Sequence, residues 1–191
     1  MNREIKLIIS DFDGTLVDTR EANFLAYREA LSGTGYDLGP GKYGEFFGLR
    51  FEEFMDRLGI FDRWVMEEIR AGKAKAYPNY FHKIKVNRNL AGFIEGFRSG
   101  GGKAALASTA SRLNILNVLA FTGMSGLFDF IVSGDETERP KPNPECYIRA
   151  MRQFNVLPFE CLIFEDAPIG IEAASASRAC FIVVKEFNHG N

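Results

Sequence analysis

The sequence predicts an α/β fold, in which a doubly wound parallel sheet carries a helical segment inserted after its first strand. From residue 90 to residue 184, amphipathic helices alternate with short apolar strands, the pattern of a parallel sheet covered by helices on both faces. The first strand ends near Asp11 and the next near Ser108. These ends lie roughly a hundred residues apart, whereas a strand–helix–strand unit needs only about 30. The surplus is helical in pattern and predicts an inserted domain over the carboxyl end of the first strand.

Length and composition bound the class of protein. A chain of 191 residues that is 46% hydrophobic and 25% charged fits one globular domain, or a core with a smaller insertion, and excludes a disordered or fibrous chain. The net charge of −2 gives no electrostatic reason to expect nucleic acid or an anionic membrane as a partner. No apolar run approaches the ~18 residues of a membrane span, and the N-terminus carries no signal-peptide pattern.

The three cysteines stand at 146, 161 and 180 and form no CxxC pair. Their odd number and spacing indicate neither a zinc site nor a disulfide scaffold. Cys161 and Cys180 lie inside apolar runs, so both are expected in the core. A cytoplasmic location is the expectation from this pattern.

The inserted segment follows a predicted first strand at 5–10, an apolar run rich in β-branched residues. Asp18 or Thr19 is expected to cap its first helix, and a glycine-rich loop is expected at 33–44. Apolar residues from Phe51 to Leu58 recur at helical spacing. A weaker helix at 62–76 should end before Pro78.

The remaining elements alternate between helix and strand along the second part of the chain. They are a helix from Leu90, a strand at 103–108, a helix at 111–122, a strand at 129–133, a helix at 144–155, a strand at 161–165, a helix at 168–176 and a strand at 180–184. The predicted core domain is therefore 1–18 together with 85–191, and the predicted insertion is 19–84.

Acidic side chains follow two of the predicted strands. Asp11 and Asp13 end the first strand, and Glu165 and Asp166 end the strand at 161–165. Because the carboxyl ends of parallel strands share one rim, the four carboxylates are expected near one another, and hard oxygen ligands of this kind suit Mg²⁺. Two simpler interpretations stay open at this point. Asp13 with Gly14 could form an ordinary turn, and Asp166 could serve only as the N-cap of the next helix.

Two further elements are suited to binding phosphate. Ser108 and Thr109 place hydroxyl and backbone N–H groups at the start of a helix. Lys141 stands between prolines in Arg-Pro-Lys-Pro-Asn-Pro, and prolines stiffen the loop that presents it. The alternative for Lys141 is an ordinary surface lysine.

Other common site motifs are excluded. The Gly100-Gly101-Gly102-Lys103 run precedes a strand instead of following one, so it is not a P-loop. The first strand is not followed by GxGxxG, which disfavours a dinucleotide site. The two histidines do not pair with a candidate nucleophile, which disfavours a Ser-His-Asp hydrolase.

The acidic and basic motifs together resemble those of the haloacid dehalogenase-like (HAD) hydrolase superfamily. The matching segments are Asp-Phe-Asp-Gly-Thr-Leu-Val-Asp-Thr at 11–19, Ser108, Lys141 in Lys-Pro-Asn-Pro, and Glu-Asp-Ala-Pro-Ile-Gly-Ile at 165–171. All four occur in order, and the resemblance extends from residue 4 to residue 184. It implies a Rossmann-like core with an inserted helical cap, as in the phosphoglycolate phosphatase and β-phosphoglucomutase branch.

The resemblance also implies a chemistry, hydrolysis of a small phosphorylated metabolite with Mg²⁺ as cofactor. Asp11 would be the nucleophile that forms an aspartyl-phosphate, and Asp13 would be the general acid and base, with its backbone carbonyl on the metal. Asp166 would complete the metal site, with Glu165 in or near it. Phosphate binding would fall to Ser108, Thr109 and Lys141. The sequence does not indicate the oligomeric state.

Three alternatives to a phosphatase remain. A sugar-phosphate mutase would share the site, but mutases of this branch, and many sugar phosphatases, carry a His where this chain has Asn23. A dehalogenase normally lacks the second aspartate, and Asp13 is present. A non-catalytic binding module would have no physical reason to keep the costly charged set. Substrate choice would depend on cap residues, for which Asn23 and Arg50 are the candidates.

Overall fold

A computed structural model describes residues 4–187. Its strands are β1 (Leu7–Ser10), β2 (Val17–Asp18), β3 (Lys85–Val86), β4 (Lys103–Ala107), β5 (Phe130–Val132), β6 (Cys161–Glu165) and β7 (Cys180–Val183). Its α-helices are α1 (Arg20–Leu31), α2 (Pro40–Phe46), α3 (Phe51–Leu58), α4 (Arg63–Ala76), α5 (Arg88–Ser99), α6 (Arg112–Phe121), α7 (Glu145–Gln153) and α8 (Pro168–Ala176). The extreme ends of the predicted core domain, 1–3 and 188–191, lie outside the described residues.

Five strands form one parallel sheet in the order β5-β4-β1-β6-β7. The central strand β1 pairs with β4, with Ile9 opposite Ala105, and with β6, with Ile9 opposite Ile163. The chain thus starts in the middle and winds first to one edge and then to the other. This confirms the predicted doubly wound α/β fold, and it places the ends of β1, β4 and β6 side by side.

The sheet is covered by helices on both faces. Residues from β1, β4, β6, α7 and α8 form one buried cluster, in which Ile9 and Ile163 are fully buried. Phe164 points to the opposite face because side chains alternate along a strand, and its ring lies 5.8 Å from that of Phe93 on α5. Fully burying one such side chain contributes about 1.5–3 kcal/mol of stability. Because helices cover both faces of the sheet, β1 carries apolar side chains on both of its faces.

The chain divides into two compact units. One comprises the chain up to Asp18 and from Val86 onward, and the other is Thr19–Lys85. The short strands β2 and β3 form a separate two-stranded sheet, which the sequence pattern does not predict. No helix within residues 4–187 is long and apolar enough to cross a membrane.

The second unit contains α1–α4 around an aromatic cluster. The ring of Phe54 lies 4.6 Å from that of Tyr27, 5.9 Å from Phe46 and 6.0 Å from Tyr43. The predicted loop at 33–44 is wrong at its end, because α2 begins at Pro40. Proline fits the first helical position, where its missing N–H would have no helical partner.

The prediction that Cys180 is buried is wrong, since its side chain is exposed. Cys180 begins β7, which is an edge strand of the sheet and is exposed along its whole length. Cys161, on the inner strand β6, is fully buried as expected. An apolar run therefore marked both strands correctly but did not reveal which of them lay at the edge.

Candidate active site

Asp11 lies directly beyond the end of β1, where its backbone N–H donates to the carbonyl of Phe164 at 2.9 Å. The chain then turns tightly, with the Gly14 N–H donating to the Val17 carbonyl at 2.8 Å. Gly14 has φ +101°, a conformation that favours glycine. A Cβ at this position would also collide with the Asp166 carboxylate. The turn therefore brings backbone into close contact with the end of β6.

Lys141 lies between two carboxylates in the interior. Its ammonium nitrogen is 2.5 Å from Asp11 Oδ1 and 2.6 Å from Glu165 Oε1, and the residue is only 8% exposed. The interpretation of Lys141 as an ordinary surface lysine is therefore wrong. A buried ammonium is stable only when it is paired and hydrogen-bonded, and both conditions hold here.

Glu165 is held by four hydrogen bonds. Its Oε1 accepts from Lys141 Nζ and, at 3.1 Å, from the Tyr147 hydroxyl. Its Oε2 accepts from the backbone N–H groups of Asp166 and Ala167 at 2.7 and 2.9 Å. A Cβ on Gly170 would collide with this carboxylate, which gives a physical reason for glycine at that position in α8.

Asp166 is held from the turn after β1, because Thr15 Oγ1 donates to its Oδ1 at 2.6 Å. Helix α8 begins at Pro168 with Ala167 at the N-cap and no side-chain cap. The alternative in which Asp166 only caps this helix is therefore wrong. Burial raises the pKa of Asp166 to about 6, a shift that the Thr15 hydrogen bond opposes and the charge of Glu165 reinforces.

The charges of Asp11 and Lys141 depend on one another. Burial raises the pKa of Asp11 well above its usual value; Lys141 opposes this shift, while Glu165 and Asp166 add to it. Burial by itself would lower the pKa of Lys141, but the neighbouring groups, Asp11 first among them, outweigh it and raise that pKa. Lys141 therefore stays protonated, and the Asp11 anion is stabilised chiefly by this one ammonium.

The donor set fits a divalent cation. Oxygens of Asp11, Glu165 and Asp166 lie within 4.8 Å of one another, and the only cation paired with them among the described residues is Lys141. Three carboxylates against one ammonium leave excess negative charge, which an Mg²⁺ ion would offset. Glu165 belongs to this group by distance, but its hydrogen bonds already occupy both oxygens. Asp11 and Asp166 are thus the better placed ligands.

The other predicted residues of the core lie near this rim in different ways. Ser108 is buried at the end of β4, and its Oγ accepts from the Ala110 N–H at 3.0 Å. Thr109 is half-buried beside it. Asp13 lies in the turn and is not among the three clustered carboxylates, because the chain bends at Phe12, where the regular strand has ended. Its charge nevertheless contributes to raising the pKa of Asp166.

The family profile of haloacid dehalogenase-like hydrolases matches residues 8–184. The chain belongs to this family. The protein CbbY of Rhodobacter capsulatus is 29% identical, over 98% of this chain and 89% of its own. The phosphorylated carbohydrates phosphatase of Thermotoga maritima is 28% identical, over 97% and 88%. The crystal structure of CbbY from Rhodobacter sphaeroides in complex with phosphate is 25% identical, with a TM-score of 0.87 over 98% of this chain and 90% of that one.

These similarities confirm the predicted HAD family and its phosphoglycolate phosphatase and β-phosphoglucomutase branch. They also show that the chain is an enzyme, a phosphoric monoester hydrolase of the HAD family. The alternatives of a dehalogenase and of a non-catalytic module receive no support from relatives that are named phosphatases.

The two predicted cap residues lie in the second unit of this HAD protein. Asn23 is half-buried in α1, where its amide donates to Thr19 Oγ1 at 2.9 Å and to the Tyr77 hydroxyl at 3.1 Å. Arg50 is the half-buried N-cap residue of α3. Their part in substrate choice stays a prediction.

The sequence pattern does not indicate two buried residues with polar groups, Lys73 and Tyr147. Lys73 in α4 is 7% exposed, and its ammonium lies 3.8 Å from the ring centroid of Tyr77. Tyr147 in α7 is fully buried against Glu165. The position of Tyr147 shortly after Lys141 can be read from the sequence. An aromatic residue on the inner face of a helix is typical of any protein core, however, and does not indicate a function. The hydroxyl partner that distinguishes Tyr147 is visible only in the fold.

Proposed function

We propose that this protein is a Mg²⁺-dependent phosphatase that hydrolyses a small phosphomonoester through an aspartyl-phosphate on Asp11. The observation that carries the proposal is the buried contact of Lys141 with Asp11, beside the Asp166 carboxylate and at the carboxyl end of a parallel sheet. Function must be argued from the site because this fold supports many chemistries. A carboxylate next to a fixed cation is suited to attack on a phosphate ester.

In the first step, an Asp11 carboxylate oxygen attacks phosphorus and the bond from phosphorus to the ester oxygen breaks. Asp13 gives its proton to the departing alkoxide, which leaves as the alcohol. In the second step, water attacks the phosphorus and Asp13 takes the proton of that water. The bond from phosphorus to Asp11 then breaks, and inorganic phosphate and the free carboxylate are produced.

Several residues of the core would stabilise the negative charge of the phosphoryl group. Lys141 neutralises the phosphoryl oxygens while it stays hydrogen-bonded to Glu165. The hydroxyl of Ser108 accepts from Ala110 N–H, so its own proton is available to a phosphoryl oxygen. Thr109 would supply a further donor. Asp11, the Asp13 carbonyl and Asp166 would hold Mg²⁺, and the ion would supply positive charge that offsets the excess of carboxylates.

The proposed substrate class is a small phosphorylated metabolite, of which phosphorylated carbohydrates are the best supported. The relatives named above include a phosphatase of phosphorylated carbohydrates and a CbbY structure in complex with phosphate. Asn23 and Arg50 would read the part of the substrate beyond the phosphate. Asn23 holds the position of the mutase His, and an amide cannot replace imidazole as an acid or base. This favours hydrolysis over phosphoryl return to a sugar.

The experiment is a screen of sugar phosphates, phosphoglycolate, nucleotides and an aryl phosphate, with Mg²⁺ and with excess chelator. We expect release of inorganic phosphate that requires Mg²⁺, and a hydroxylamine-sensitive phosphoryl label on the wild-type protein that is absent from Asp11→Asn. Conversion of one sugar phosphate into its isomer would instead establish a mutase. Phosphate release that is as fast in excess chelator as with Mg²⁺ would contradict the proposed Mg²⁺ requirement.

A further inference from the structure

Tyr147 is a buried polar residue to which the proposed reaction assigns no role. It lies in the first turn of α7 with no exposed surface, and it is the largest fully buried side chain among the described residues. A buried phenol needs a partner for its hydroxyl. That partner is Glu165 Oε1 at 3.1 Å, and because an ionised carboxylate only accepts, Tyr147 is the donor.

The hydroxyl of Tyr147 and the ammonium of Lys141 share one acceptor atom. Glu165 Oε1 receives both, while Oε2 is held by the backbone N–H groups that follow β6. The carboxylate is thereby fixed at both oxygens. Without the hydroxyl, Oε1 would have Lys141 as its only partner, and the ammonium could move with the carboxylate rather than being held by it.

Tyr147 also contacts Lys141 through its ring. The ammonium nitrogen lies 5.1 Å from the ring centroid, within the ~6 Å over which a cation is attracted to an aromatic ring. Lys141 is thus limited by Asp11 on one side, by Glu165 on another and by the face of Tyr147 on a third. Phenylalanine at this position would keep the ring and lose only the hydroxyl.

We infer that Tyr147 is a positioning residue, whose hydroxyl fixes Glu165 so that the Lys141 ammonium is held at Asp11 and at the transferring phosphoryl group. This inference deepens the proposed phosphatase function and rests on it. Among the described residues, the hydroxyl of Tyr147 hydrogen-bonds to Glu165 and its ring faces Lys141, so it would act through these two residues. A precise ammonium position matters most in the transition state, where the phosphoryl charge is redistributed.

The kinetic test compares Tyr147→Phe with the wild type and with Met151→Leu. Met151 is buried in α7 one turn further along and provides a control for helix packing. For Tyr147→Phe we expect kcat to fall about fivefold with KM nearly unchanged, the size of one hydrogen bond. Met151→Leu should change thermal stability more than kcat. A kcat for Tyr147→Phe within twofold of wild type, about 0.4 kcal/mol of barrier, would overturn the inference.

A double-mutant cycle tests the route through Glu165. If Tyr147 acts only through this carboxylate, Tyr147→Phe should change kcat by less than about twofold in a Glu165→Ala background, which removes the acceptor of the Tyr147 hydroxyl, whereas independent effects would multiply. Multiplied effects would overturn the inference. Single-turnover rates keep the slow variants measurable.

A third measurement needs no turnover. The ammonium protons of Lys141 can be followed by ¹⁵N NMR and assigned through their loss in Lys141→Arg. We expect their exchange with water to become about fivefold faster in Tyr147→Phe, because one restraint on the buried group is gone. Unchanged exchange would overturn the inference. If the wild type hydrolysed no phosphomonoester, the phosphatase proposal would fail by itself, while exchange would still report whether Tyr147 holds Lys141.

Discussion

Lys141 Nζ lies 2.5 Å from Asp11 Oδ1, although 130 residues separate the two in the chain. Asp11 follows β1 and Lys141 lies in the loop between β5 and α7, so the winding of the sheet is what brings them together. The same ammonium also serves Glu165. The cluster of three carboxylates thus contains one buried cation, which contacts two of them, and this imbalance underlies the expected effects of substitution, metal and pH.

Replacing the proposed nucleophile should separate activity from stability. We expect Asp11→Asn to lower turnover by at least about three orders of magnitude, roughly 4 kcal/mol of barrier. Because burial and the neighbouring carboxylates raise the pKa of Asp11, a neutral isostere removes a destabilising charge. The thermal midpoint of the metal-free protein should therefore be unchanged or higher. Turnover within about tenfold of wild type, 1.4 kcal/mol, would exclude covalent catalysis by Asp11.

The metal requirement should depend on Asp166. We expect turnover to require Mg²⁺, and Ca²⁺ to inhibit because it takes more ligands at longer distances and would misplace the carboxylates. Asp166→Ala should raise the Mg²⁺ concentration for half-maximal rate or abolish activity. Glu172→Ala, an exposed acid in the helix that follows, is the control and should titrate like the wild type. An unchanged Mg²⁺ titration in Asp166→Ala would remove this residue from the metal site.

Stabilisation by Mg²⁺ should depend on pH through Asp166. Its pKa is about 6 in the folded protein against an ordinary value of 3.8, so the folded state holds this proton more tightly. Asp166 contributes its full stabilising effect at pH values below the lower pKa, and this effect is lost as the pH rises through the higher pKa. Mg²⁺ binds the deprotonated form, so its apparent affinity should fall about tenfold per pH unit below the higher pKa.

Thermal melting with and without Mg²⁺ measures this dependence. The rise in midpoint caused by Mg²⁺ should be large near about pH 7.5 and small near about pH 5. In Asp166→Asn, which keeps the shape and removes the titration, the rise should be small at both values. An equal Mg²⁺ effect at both pH values in the wild type would show that Asp166 does not control binding.

Core and cap substitutions should differ in their dependence on substrate. Lys141→Ala should reduce hydrolysis of all phosphomonoesters alike, since the phosphoryl group is common to them. Its folded fraction must be measured, because the loss leaves Asp11 and Glu165 buried without their cation, a change that costs about 3–5 kcal/mol. Asn23→Ala and Arg50→Ala should instead change the ranking of substrates more than hydrolysis of a small aryl phosphate.

Lys42→Ala provides a control for the cap substitutions, since it removes an exposed cation of the same unit and should leave the ranking unchanged. Equal losses for every substrate in Asn23→Ala and Arg50→Ala would mean that these residues do not select the substrate. Phosphopeptides as the best substrates would contradict a small-metabolite phosphatase.

The alternation of helix and strand was readable because each element has its own apolar period. The strand at 161–165 and the helix at 168–176 were predicted with the bounds that the structure has. The helix α2 escaped because glycines at 39, 41 and 44 resemble a loop, while Tyr43 and Phe46 bury its inner face. The low helix propensity of these glycines was outweighed by the tertiary packing of the two aromatic side chains.

The sequence by itself determined the doubly wound order of elements, the insertion, and the presence of acids and a lysine at strand ends. These features depend on periodicity and on chain order, both of which are local. Only the tertiary structure decided that both carboxylate oxygens of Glu165 accept hydrogen bonds, Oε1 from Lys141 and Tyr147 and Oε2 from two backbone N–H groups. It also decided that Cys180 lies on an exposed edge. Hydrogen-bond partners and exposure depend on which distant elements become neighbours, and no pattern within one element contains that information.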